Sequence, residues 1–204
     1  FSNDRLIACE NKNAEILKTL NLPGLLFYPE RDSANVFIKV KTKLDTYGLR
    51  DRDYLLDSEI EKIKNKYPNY YILDYYCFEN YLYHPDNIKE ITGKLGIDNF
   101  DLQKYKTDII NQKNEKRDII ISNYKNARKT YQEFKIEGEK LENRIAEHEI
   151  IDYLKSDDIE IFFKSFSLKD YFNKSLIEKY NLKQTELANT NWFKTKMVQI
   201  LKIN

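Results

Sequence analysis

The 204-residue sequence predicts an α/β fold: a parallel sheet flanked by helices, with a charged helical insertion and a helical C-terminal part. Three observations predict it. In the first half, short apolar runs alternate four times with helix-period segments, as strands joined by right-handed crossovers do. From about Gly96 apolar residues thin out and charge dominates. From Ile150 apolar density returns. These shifts divide the chain into a core over residues 1–95, a helical insertion over 96–149 and a segment over 150–204 that packs back on the core.

Leu6-Ile7-Ala8-Cys9 is fully apolar and ends at Glu10, as a buried parallel strand would. Asn11 to Leu20 carries Ala14, Ile16, Leu17 and Leu20 at helical spacing, and Pro23-Gly24 then breaks the chain before the strand Leu25 to Tyr28. Ser33 or Asn35 can cap a helix with Val36, Val40 and Leu44 on its inner face. Thr46 to Arg50 is a third strand, running into Asp51-Arg52-Asp53. Asp57 or Ser58 caps a helix over Glu59 to Tyr67, and Tyr70 to Asp74 is the fourth strand. The insertion spaces Ile109, Ile119, Ile120, Tyr124, Tyr131, Phe134 and Leu141 among charges. It reads as one or two long helices, broken near Gly138 into an antiparallel hairpin. The chain closes on a helix through Trp192, Met197 and Leu201.

Composition excludes several classes. Hydrophobic residues make up 41% and aromatics 14%, too many for a disordered chain. A net charge of +1 gives no global field toward nucleic acid, so any such contact rests on local patches. No apolar stretch approaches the roughly 20 residues of a membrane span, and no signal peptide is apparent. Cys9 and Cys77 sit in apolar runs and read as buried thiols of a reducing, cytoplasmic protein. His84 and His148 stand far apart, without partners at zinc-ligand spacing. No G-x-x-x-x-G-K-[ST] loop is present, and nothing supports a Ser-His-Asp site. The chain opens on Phe1, not methionine, and is expected to be part of something longer.

Functional groups of open parallel sheets gather at the carboxyl ends of the strands, where Glu10, Asp51 and Asp53 all fall. Two carboxylates two positions apart at a strand end project to the same side and can converge on one hard cation. Glu10, directly after four apolar residues, needs a partner or a metal, or else serves as a helix N-terminal acid. Glu79, in Phe78-Glu79-Asn80-Tyr81-Leu82, is a further candidate ligand. Asp74 and Asp57 are ambiguous, Asp57 reading better as a helix cap. Lys113, Lys116, Arg117, Lys125, Arg128 and Lys129 form a locally basic stretch. It reads first as a solvated or protein-docking helix; the alternative is a nucleic-acid contact through Lys116 and Arg117, with Arg52.

The order strand-Glu, then a strand ending in Asp-x-Asp some forty residues later, resembles the Toprim domain of topoisomerases, bacterial primases and OLD-family nucleases. Tyr47 to Tyr54 resembles the glycine-apolar-DRD-aromatic block of the Toprim-like group associated with ABC-type ATPases, and Glu79-Asn80-Tyr81-Leu82 is similar to a block of the same group. The likeness covers residues 4 to 90. It departs where Glu10-Asn11 replaces Glu-Gly, and where Ala14 stands four positions after Glu10, beside Glu15, in place of an acid. The resemblance implies Mg2+ or Mn2+ held by Glu10, Asp51 and Asp53, with Glu79 and Lys169 as further catalytic residues. It implies phosphodiester hydrolysis of DNA or RNA as the effector of an antiphage system, and an ABC- or AAA-type ATPase partner, fused or separate. A homo-oligomer is compatible with it. Two alternatives stand beside the nuclease: a catalytically weak Toprim module that binds nucleic acid or a regulatory ATPase, and a primase- or topoisomerase-type fragment.

Overall fold

The computed structural model describes residues 4–43, 45–130, 143–172, 175–178 and 180–202. It is an α/β protein built on a four-stranded, all-parallel sheet flanked by helices. The strands are β1 (Arg5–Glu10), β2 (Leu25–Glu30), β3 (Thr46–Arg50) and β4 (Tyr70–Ile72), in the spatial order β2-β1-β3-β4. Three helices make the crossovers: α1 (Asn11–Lys18), α2 (Ser33–Thr42) and α3 (Asp57–Lys66).

Strand alternation sorts the core onto two faces. On one face Ala8, Tyr70 and Ile72 meet Val36, Phe37 and Val40 of α2 and Ile60 and Ile63 of α3. On the other, Ile7, Cys9, Leu49, Tyr71 and Leu73 join Ala14 and Leu17 of α1 in a cluster that runs on through Ile109, Tyr124, Ile150 and Phe163 to Leu201. With α1 and α2 on opposite faces, the chain leaves β1 in one direction and reaches β3 in the other. The carboxyl ends of these two strands are therefore a topological switch point, where open sheets leave a crevice. Gly48 lets α2 sit close on β3: a Cβ there would stand 2.5 Å from Val40 Cγ2 and 2.9 Å from Val36 Cγ1.

The remaining helices follow β4: α4 (Phe78–Leu82), α5 (Pro85–Lys94), α6 (Leu102–Glu115), α7 (Arg117–Thr130), α8 (Asn143–Lys155), α9 (Ile159–Phe162), α10 (Leu168–Tyr171), α11 (Ser175–Glu178), α12 (Gln184–Ala188) and α13 (Asn191–Ile200). Lys113 reaches Ser156 and Asp157, and Lys125 pairs with Glu147. Residue numbers fall along one partner as they rise along the other, so α6–α7 and α8 run antiparallel. A break lies at Lys116, between α6 and α7. Gly138 and the apolar positions Leu44, Tyr131, Phe134 and Leu141 lie outside the described residues.

Two helix starts differ from expectation. Asp32, not Ser33 or Asn35, caps α2, accepting the Asn35 N–H at 2.9 Å. At α3 neither Asp57 nor Ser58 caps: Leu56 holds that position, and the Glu59 carboxylate accepts its N–H at 2.9 Å. The Asp57 carboxylate is taken instead by Arg52 and Lys164, at 2.7 Å each. The fourth strand ends at Ile72 rather than Asp74, because Asp74 N–H turns away to the Tyr81 hydroxyl. Among the described residues no helix is long and apolar enough to cross a membrane.

Candidate functional site

Glu10 closes β1 and Asp51 directly follows β3, so the parallel register brings both to one end of the sheet. Strand geometry does not extend to Asp53. The strand stops at Arg50, and Asp53 adopts a left-handed backbone, φ 53°, with its N–H donating to Tyr76 O at 2.9 Å. A turn, not strand alternation, therefore brings the two aspartates together. Short polar side chains tolerate this conformation best, and its cost is met by the Tyr76 bond and by Arg50, whose Nη2 donates to Asp53 Oδ2 at 2.8 Å.

Asp51 is the electrostatic centre. Burial, and then the negative charges of Asp53, Glu10 and Glu79, push its carboxyl well above the usual carboxylate range, while Arg50 pulls the other way. Asn13 Nδ2 donates to Asp51 Oδ1 at 3.1 Å. Glu79 is buried on α4, and Lys169 Nζ of α10 stands 4.0 Å from its carboxylate. The Glu79 charge raises the Lys169 ammonium above its ordinary value against the opposing effect of burial, with smaller contributions from Cys77, Asp170 and Asp51. Both thiols are buried: Cys9 is pushed up to about 12 by burial, and Cys77, beside Asp51 and Glu79, is also raised by burial. Neither is primed as a nucleophile.

The structure thus brings Glu10, Asp51, Asp53, Glu79 and Lys169 into one electrostatic neighbourhood from four separate stretches of chain. Asn80 holds the last of these in place. Fully buried, it donates to Phe163 O at 3.1 Å and Phe166 O at 2.7 Å, and accepts the Leu168 N–H at 3.0 Å.

The nucleic-acid candidates are placed differently. Arg52 is 1% exposed, its guanidinium bonded to Asp57 Oδ1 at 2.7 Å and to the carbonyls of Leu55 and Asp74. It is a structural arginine, closed to a phosphate backbone; strand-end sequence alone gave no sign that Asp57 would claim it. Lys116 turns onto the Tyr171 carbonyl, and of the three only Arg117 is exposed. Elsewhere in the basic stretch, Lys113 is fully buried on Ser156 and Asp157. Arg128 makes a two-pronged pair with Glu59, at 2.6 and 3.0 Å. That stretch fastens the helical layers together. Asp74 is an exposed surface acid, 3.8 Å from Lys64.

Asn13 and Arg50 had no place in the sequence reading. Asn13 shares the inner face of α1 with Ala14, Ile16 and Leu17, and a polar residue in that apolar stripe was the available signal.

The donor set suits a hard cation: oxygen ligands crowded until one carboxyl resists ionisation, a repulsion that a divalent ion relieves. The set is open rather than closed, since among the described residues no three His, Cys, Asp or Glu stand ready to share one ion. Magnesium ordinarily takes one or two carboxylates and keeps several waters, so the fit is one of chemistry without a preformed cage. Comparison with known protein families, with curated proteins and with solved structures finds no match in any of the three.

Proposed function

We propose that this chain is a Toprim-like, Mg2+- or Mn2+-dependent nuclease domain. The observation that carries the reading is the like-charge crowding of Asp51 by Asp53, Glu10 and Glu79 at a topological switch point. Asp51, Asp53 and Glu10 are the residues that would hold the metal. Bound there, such an ion supplies Lewis acidity toward a phosphodiester and a lowered pKa for an attacking water. Asn13 orients the Asp51 carboxylate. Arg50 fixes Asp53. Lys169, held near Glu79 by the Asn80 clamp, offers a positive charge to a substrate phosphate. The nucleic-acid substrate, the ATPase partner and the antiphage role come from the family resemblance alone.

A second reading is favoured by the open donor set and by the Arg50 guanidinium already on Asp53. It is a catalytically weak Toprim module that binds nucleic acid or a regulatory partner.

Calorimetric titration of Mg2+ and Mn2+, with cleavage assays on DNA and RNA, separates the two. Saturable metal binding and cleavage, both lost in Asp51→Ala with Asp53→Ala, support the nuclease. Metal binding without cleavage supports the weak module. If no cation binds and the double variant retains all activity, the nuclease reading fails.

A further inference from the structure

A second concave site lies away from the acidic cluster, at the outer edge of β4. It is a cleft of about 200 Å3 between α3 on one sheet face and α13 on the other. Lys64, Lys196 and Lys202 are among the residues that line it, together with Tyr75 and Tyr81.

Two carboxylates also line it, and both are engaged. Glu160 accepts the Tyr75 hydroxyl at 2.5 Å and stands 3.3 Å from His84 Nε2, and Asp74 lies 3.8 Å from Lys64. Tyr81 is the more telling group. The residue is 1% exposed, and its hydroxyl accepts the N–H groups of Asp74 at 2.9 Å and Tyr75 at 3.1 Å. Both lone pairs are thereby used, and among the described residues no acceptor meets its own proton. A buried donor without an acceptor is costly. Here it lines a cleft in which three lysines face two carboxylates, Asp74 beside Lys64 and Glu160 bonded by Tyr75.

We propose that this cleft binds a phosphate oxyanion, with the Tyr81 O–H and the ammonium groups of Lys64, Lys196 and Lys202 as its donors. Charge-assisted bonds from lysine suit a phosphate, and the Tyr81 proton supplies a directional contact. The inference is independent of the metal site.

Trp192 is the only tryptophan of the chain, and Lys196 Nζ lies 5.4 Å from its ring centroid, so its emission reports on the cleft. The full chain is titrated with inorganic phosphate and with ribose 5-phosphate, against chloride at matched ionic strength, and heats are measured in parallel. Saturation by phosphate and not by chloride is the expected result. Tighter saturation by ribose 5-phosphate identifies a phosphate monoester, and equal or weaker saturation identifies the free anion. Lys196→Gln with Lys202→Gln, both near the surface, should weaken binding by about tenfold or more. Lys104→Gln, exposed on α6 and not among the residues that line the cleft, should leave it unchanged. No saturation, an equal response to chloride, wild-type affinity in the Lys196/Lys202 pair variant, or weakened binding in Lys104→Gln overturns the proposal.

Discussion

Replacing Asp51 by asparagine should stabilise the metal-free protein. Asp51 is held half-buried among Asp53, Glu10 and Glu79, with Arg50 as the main opposing charge. Asparagine keeps the Oδ1 that accepts from Asn13 and removes the repelled charge. Solvent reaches part of the residue, so the full buried-charge cost is discounted, leaving a gain of about 1 kcal/mol at neutral pH. In a chain of this size that is a rise in Tm of about 2–4 °C.

The pH dependence has a definite sign. Because the folded carboxyl is raised, the folded chain retains a proton that the unfolded chain releases above its ordinary value of 3.8. Wild-type stability should therefore fall as pH climbs from there through the raised folded value, then level off. Asp51→Asn lacks this slope, so the gap opens with pH. Mg2+ at about ten times its Kd should restore about 1.4 kcal/mol to the wild type and nothing to the variant. Thermal unfolding from about pH 4 to 8, with EDTA or with Mg2+, reads both effects. A variant less stable than wild type throughout the metal-free series would show that Asp51 is a well-compensated structural carboxylate, and the reasoning would be wrong.

Two further outcomes follow from the packing. Asn80→Ala removes three buried hydrogen bonds to the 163–168 segment and should cost roughly 2–4 kcal/mol in urea unfolding, with Lys169 displaced from Glu79; a loss below about 0.5 kcal/mol would mean the clamp is ornamental. Glu160 is held down to about 2, first by the His84 imidazole 3.3 Å away, against the cost of burial, and then by Tyr75 and Lys196. Its contribution should be complete above the ordinary value of 4.5 and vanish as pH falls through about 2. Glu160→Gln should accordingly lower stability at neutral pH, by about 1 kcal/mol or less given its exposure, with the difference closing in acid. A pH-independent difference would contradict that origin.

The sheet was legible because buried parallel strands leave a strong local pattern: Leu6 to Cys9 and Tyr70 to Ile72 are nearly uninterrupted apolar runs, and the structure pairs them through β3. Glu10 was legible for the same reason, since it stands where such a run stops, whereas Asp53 owes its place to a turn and Glu79 to a helix. What could not be read locally was partnership across long separations. Lys113 and Arg128 look like solvated charges on a polar helix, yet their partners Asp157 and Glu59 lie 44 and 69 residues away in sequence. Arg52 reads as an exposed neighbour of two aspartates until Asp57 folds back onto it. Helix starts fail on a finer scale: Ser33 is a good capping residue, but Asp32 one position earlier already satisfies the Asn35 N–H.

The Asn80 clamp has a consequence for the order of events during synthesis. Asp51 and Asp53 leave the ribosome early, whereas Phe163, Phe166 and Leu168, which seat Lys169 against Glu79, follow more than eighty residues after Asn80. A nascent chain ending before them carries the acids without the lysine and without the packing that positions it. The acids and the lysine can therefore come together only after the segment that follows Phe163 has been made, a delay written into the connectivity of the fold.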